Sequence, residues 1–163
     1  MNKQTSYNIY YKVTSETFPM LPSFAGIIPD RAGDTKPQGK AYICTFKDEM
    51  PQNIITRVVQ FQLNTILLCG QESPTYIRNL RRTLTTDITP NLQIWKEVNN
   101  EKCQTYEDCV DAFVIDINEI DKYQGTHPIL ISGISANNDL DSLYQKYKGR
   151  CLGFITNEFG DTE

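Results

Sequence analysis

Apolar residues gather in eight short runs separated by polar stretches: YNIYYKV (7–13), FAGII (24–28), AYICTF (41–46), TILLC (65–69), LQIWKEV (92–98), DAFVIDI (111–117), PILIS (128–132) and CLGFIT (151–156). Most are apolar at successive positions instead of alternating. That pattern predicts strands covered on both faces, as in parallel sheets backed by helices. Three intervening segments carry a helical period. In the first, Ile54, Ile55, Val58, Val59 and Leu63 form a stripe, with Pro51 near the start. In the second, Ser73 is the expected cap and Pro74 the first-turn residue, with Tyr76, Ile77, Leu80 and Leu84 facing inward. In the third, Asn138 is the expected cap, Leu140, Leu143, Tyr144 and Tyr147 the stripe, and Gly149 the stop. A weaker helix is expected around 101–109.

Alternating strand and helix predict a parallel sheet with right-handed crossovers. The runs start about twenty residues apart, close to the least that a strand, a turn and a crossover helix require. Eight such units predict a closed (β/α)₈ barrel in a single domain, 1–163, with an open flavodoxin-like sheet as the alternative. The barrel must be trimmed. PDRAGDTKPQGK (29–40) and NEIDKYQGTH (118–127) are too short and polar for full helices, and no helix follows the eighth run before Glu163. The apolar surface this leaves would be covered by a second subunit in a homodimer.

Charge and composition remove several classes of function. A net charge of −4 and scattered basic residues give no field that would gather nucleic acid. Arg78, Arg81 and Arg82 form the one cluster between Arg57 and Lys102, and read as a solvated helix face. The N-terminal stretch MNKQTSYNIYYKV lacks the apolar core of an export signal, and no run approaches a membrane span, so a cytoplasmic protein is expected. Five cysteines (Cys44, Cys69, Cys103, Cys109 and Cys151) are an odd number with no Cys-x-x-Cys pair, and read as reduced thiols. Their spacing with His127 fits no standard zinc site, so neither metal nor cofactor is expected.

The stretch TILLCGQESPTYIRNLR (65–81) carries the strongest functional signal. A buried strand stops at Cys69-Gly70, and Ser73-Pro74 opens a helix three residues later. Within it, "LLCGQESPTY" (67–76) resembles the fourth-strand hallmark of the phosphoribosylanthranilate isomerase family: Gln-Leu-His-Gly, then Glu-Ser-Pro and a Tyr. The resemblance runs in register on both sides. "FAGIIP" (24–29) is similar to the family's second strand, "IWKEV" (94–98) to its fifth and "DAFVIDI" to its sixth. "ILISGISANN" (129–138) resembles its seventh strand and glycine loop, and "LGFITNEFGDTE" its eighth.

The resemblance implies an Amadori-type rearrangement of N-(5-phosphoribosyl)anthranilate, an aldose-to-ketose isomerisation in tryptophan biosynthesis. An acid protonates the ring oxygen, a base removes a proton from the adjacent carbon, and backbone amides hold the phosphate. It makes Asp116 the acid, or else a strand-end Asp capping its own turn. The family's first-strand Cys has no counterpart in "YYKVTSETF", where Glu16 falls beyond the strand. Cys69 stands where the family has His and is the substitute base, or else a buried, inert thiol. Gly133, Ser135, Gly153 and Asn157 are the implied phosphate contacts, and Arg31 the implied partner of the substrate carboxylate. The phosphate loops are reduced. After the sixth strand only Gly125 remains, after the seventh Gly-Gly has become the single Gly133, and the family's Asp after Gly153 would be Ile155. Two readings follow: an isomerase with impaired catalysis acting on a small sugar phosphate, or a non-catalytic homologue keeping the barrel as a ligand- or partner-binding module. An unrelated sugar-phosphate barrel is the third.

Overall fold

In a computed structural model of the chain, residues 8–13, 26–29, 41–135 and 137–156 are described. The strands are β1 (Asn8–Val13), β2 (Gly26–Pro29), β3 (Ala41–Tyr42), β4 (Cys44–Phe46), β5 (Thr65–Leu68), β6 (Gln93–Glu97), β7 (Ala112–Asp116), β8 (Ile129–Ile134) and β9 (Cys151–Thr156). Every pairing is parallel, in the order β3-β2-β1-β9-β8-β7-β6-β5-β4. The two ends of that order are one run of chain, interrupted only at Ile43. Its first part pairs with β2 and its second with β5, so the sheet returns on itself as an eight-run barrel. The eight expected runs therefore form the expected barrel, and the open sheet is excluded.

Two apolar layers hold it. Inside the barrel, Ile43, Leu67, Trp95, Ala112, Val114, Leu130 and Ile155 form one cluster, with Tyr10 and Cys69 packed against it. Such a filled interior is a core and not a pore. Tyr10 on β1 and Trp95 on β6 lie four strand positions apart in a ring of eight, and their rings meet edge to face at 5.5 Å. The contact crosses the barrel's diameter. Outside, alternate strand residues such as Ile66, Leu68, Ile94, Phe113, Ile115 and Ile131 pack against the helices. This division explains why the strand runs are apolar at successive positions.

The helices are α1 (Pro51–Phe61), α2 (Pro74–Asp87), α3 (Cys103–Tyr106) and α4 (Leu140–Lys146). α2 starts as expected: Ser73 Oγ accepts from Tyr76 N at 3.1 Å, and Pro74 occupies the first turn. On α1 the buried stripe is Ile54, Val58 and Phe61, with Leu63 just past the end, while Val59 is 54% exposed. A step of one residue turns Val59 about 100° away from Val58. The cap of α4 is Asp139, whose Oδ1 accepts from Ser142 N at 3.2 Å; the expected cap, Asn138, serves the preceding loop instead. Gly149, at φ +98°, ends that turn in a conformation that favours glycine.

The Arg cluster on α2 is not merely solvated. Arg81 bridges to Asp111 at 2.8 Å and to the carbonyl of Cys109 at 3.1 Å, which ties α2 to the start of β7.

The connection 118–127 holds only a 3₁₀ turn at Ile120–Lys122, as its length predicted. Ile120 and Tyr123 are buried there and cover the sheet in place of a helix. The loop is fastened from outside by Asp121, which accepts from Tyr147 and Lys146, and by Arg150, which donates to the carbonyl of Gly125. The other short connection, 29–40, lies outside the described residues beyond Pro29. No helix among the described residues is long and apolar enough to cross a membrane.

Candidate functional site

Parallel barrels build their sites at the carboxyl ends of the strands. Interior positions there follow from the alternation set by the inner cluster. On β7, Ala112 and Val114 face inward, so Asp116 ends the same inner row. On β5, Cys69 follows Leu67 inward and packs against the inner cluster, half-buried. On β6, between them, Glu97 falls on the face of Trp95. Ser132 pairs in register with Asp116 and is buried.

Asp116 makes two kinds of contact. Its Oδ1 accepts from Asn118 N at 2.8 Å, so it does cap the turn that follows β7. Its Oδ2 points the other way, over Gly133, where an added Cβ would stand 2.7 Å from it. Gly133 is exposed and has φ +78°, so glycine is required there twice over. Acid candidate and glycine loop thus meet at one edge of the mouth.

The loop after β8 is closed on itself. Asn138 Oδ1 accepts from Ser135 N at 2.8 Å and from Ser135 Oγ at 3.3 Å, and Asn138 N returns to Ser135 O at 3.1 Å. The Ser135 amide is therefore already engaged. Gly153 does not join this group. It is buried within β9, paired with Leu130 and Asn8, three residues short of the strand's end at Thr156. Its backbone faces neighbouring strands and not a loop. Asn157, Arg31 and Glu16 lie outside the described residues.

The most highly built group at this end of the barrel is one to which the sequence analysis gives no role. Lys96, on the outer face of β6, is 2% exposed, and Glu72, in the loop before α2, is 4% exposed. Lys96 Nζ lies 3.3 Å from Glu72 Oε1 and donates to Gly70 O at 2.7 Å. Glu72 accepts from Gly70 N at 3.0 Å and from Asp48 N at 2.9 Å. Tyr106 donates its hydroxyl to Glu72 O at 2.6 Å and sets its ring 5.2 Å from the ammonium. Burial, then the Glu72 charge, push the Tyr106 hydroxyl above its ordinary pKa and keep it a donor. Asp48 closes the group by accepting from Gln71 N at 2.6 Å. Its carboxylate fills the space beside Gly70, where a Cβ would meet Asp48 Oδ1 at 2.5 Å. That contact is why a glycine stands two residues past the end of β5. The visible signal was a lysine set inside the apolar run IWKEV.

None of the five cysteines is in a disulfide, and four are buried. Burial, reinforced by Glu107, pushes the Cys103 thiol up to about 11, and burial also raises Cys109 and Cys151. Cys69 is the one thiol of the five that is only partly buried.

No family model matches the chain. In sequence it is 31% identical over 103 residues to an N-(5'-phosphoribosyl)anthranilate isomerase of Microcystis aeruginosa, covering 63% of this chain. The chain spans about half the length of that curated relative, 45% of it. In structure it is similar to mutually generated monomers of the dimeric phosphoribosylanthranilate isomerase from Thermotoga maritima. The TM-score there is 0.54 at 14% identity, over 92% of this chain and 87% of that one. It is similar, at a TM-score of 0.55 and 14% identity over the same shares, to a phosphoribosylanthranilate isomerase in complex with reduced 1-(o-carboxyphenylamino)-1-deoxyribulose 5-phosphate. The resemblance to phosphoribosylanthranilate isomerases is borne out: the chain is similar in sequence to one of them and carries the barrel fold of the two solved ones in trimmed form.

Proposed function

We propose that the chain is a phosphoribosylanthranilate isomerase-like barrel that takes an anthranilate-substituted sugar phosphate at the mouth, with reduced turnover. One observation carries the reading: Asp116 ends the inner row of β7 with one carboxylate oxygen held by Asn118 and the other turned to the exposed Gly133. A carboxyl group so placed is a general acid for the ring oxygen of a sugar whose phosphate rests against the β8 loop. Cys69 and Glu97 line the neighbouring strand ends, and Cys69 is the thiol within reach of the same space. The reaction needs no cofactor: one proton is delivered to the ring oxygen and one is removed from the adjacent carbon.

Reduced turnover follows from two features of this chain. The region after β1 offers no cysteine, and the Ser135 amide is engaged by Asn138. A missing acid or base accounts for about 10²–10⁴-fold in rate. The same features favour the second reading, a binding module without catalysis.

Turnover of N-(5-phosphoribosyl)anthranilate by the purified chain, alongside rescue of a tryptophan auxotroph lacking this isomerase, separates the two. Slow turnover abolished by Asp116→Asn in a folded protein is the expected result. Turnover at background, unchanged by the substitution, selects the binding module. Robust growth lost with Asp116→Asn overturns the reduced rate.

A further inference from the structure

Gly70 follows Cys69 directly, and the ion pair takes both polar groups of Gly70: Glu72 accepts from its N–H at 3.0 Å and Lys96 donates to its carbonyl at 2.7 Å. On the other side, Cys69 N donates to Phe46 O at 2.8 Å. The second oxygen of Glu72 accepts from Asp48 N at 2.9 Å, so the loop after β4 is held by the same carboxylate. Lys96 itself belongs to β6. Three adjacent strand ends therefore converge on one buried pair, and the residue between its two halves is the neighbour of Cys69.

A buried ion pair is a poor choice if only stability is needed, since apolar residues of similar volume serve as well or better. Its distinct property is directional: each charge fixes specific hydrogen-bonding groups at defined angles. We infer that Lys96 and Glu72 are positioning residues that set the place of Cys69 in the mouth by gripping both polar groups of Gly70. The inference rests on the role proposed for Cys69, but its test needs no substrate. Loss of isomerase activity would bear on that role and leave this test untouched.

The test is thiol labelling of the native chain with 5,5'-dithiobis(2-nitrobenzoate), each site identified by peptide mass spectrometry. In the wild type Cys69 reacts first, because the other four thiols are buried. Either single substitution strands a buried charge, so the variant is the neutral double Glu72→Gln/Lys96→Met, with its fold checked by the near-ultraviolet signal of Trp95. Gln keeps an oxygen for the Gly70 amide; Met keeps the apolar stem of Lys96 and loses the donor. Labelling of Cys69 should change by about tenfold or more through local opening, while the four buried thiols stay as slow as before. An unchanged Cys69 rate in a folded variant overturns the inference. So does acceleration of all five together, which is general loosening. Hydrogen exchange of the unmodified chain gives a check that needs no variant. The Gly70 and Asp48 amides, both donated to Glu72, should be protected like the strand amides, and exchange at exposed-loop rates overturns the inference.

Discussion

A Cβ placed on Gly133 would stand 2.7 Å from Oδ2 of Asp116. The glycine that opens the β8 loop and the acid that ends β7 therefore fix each other's place, although they are seventeen positions apart. Gly133→Ala brings two costs together: a side chain forced to φ +78°, and a clash that moves the carboxylate. Left-handed strain at a non-glycine residue costs on the order of 1–3 kcal/mol. Thermal unfolding should therefore fall by several degrees, at about 2–4 °C per kcal/mol for a chain of this size. Turnover, where measurable, should fall with it because Asp116 is displaced. An unaltered melting temperature would show that the loop relaxes without strain.

Lys96 and Glu72 make a second, energetic prediction. Removing one partner of a buried pair costs about 3–5 kcal/mol, because the other charge is left uncompensated, while an apolar or neutral replacement of both is far milder. Lys96→Met alone should lower the denaturant midpoint sharply. The double variant Glu72→Gln/Lys96→Met should recover most of the loss. Equal losses in the two would mean that the charges act independently.

Much of this was legible in the sequence, and the remainder was not for identifiable reasons. The eight runs announced the barrel because most are apolar at successive positions, and Ser73-Pro74 announced α2 because a cap and a first-turn proline act locally. The Lys96–Glu72 pair was hidden because it joins residues 24 positions apart: the lysine inside the apolar run IWKEV is visible in the sequence, but the carboxylate it meets is not. The cap of α4 falls one residue after the expected Asn138 because Asn and Asp are both good capping residues, and only the loop's closure on Ser135 decides between the adjacent positions. Gly153 was aligned with a phosphate loop because a motif fixes order along the chain but not register. β9 continues past it to Thr156.

The latch over residues 118–127 predicts an acid dependence. Hydrogen bonds from Tyr147 and then Lys146, with the Lys146 charge, hold the Asp121 carboxyl below its ordinary value of 3.8. A carboxylate with a lower pKa in the folded state stabilises the fold above 3.8, and that contribution is lost as pH falls through the depressed folded value. Asp121→Asn should therefore leave the wild type the more stable protein at neutral pH, with the difference shrinking below pH 3.8. The group is exposed, so the difference should also shrink in high salt. Melting curves from pH 7 to pH 2 check this, and a gap that widens on acidification would refute it.

The closed β8 loop yields the last prediction. A phosphate approaching Gly133 needs backbone amides, and one candidate in that loop, Ser135 N–H, donates to Asn138 Oδ1 at 2.8 Å. The carboxamide thus occupies the amide that an anion would use, and an incoming phosphate must displace it. Asn138→Ala removes the competitor without touching the cap of α4, which is Asp139. One hydrogen bond is worth about 1 kcal/mol net, so ribose 5-phosphate should bind roughly fivefold more tightly to the variant. Calorimetric titration of both proteins decides the matter. Weaker binding by the variant would reverse the assignment, with Asn138 then holding the loop ready for the anion instead of competing with it.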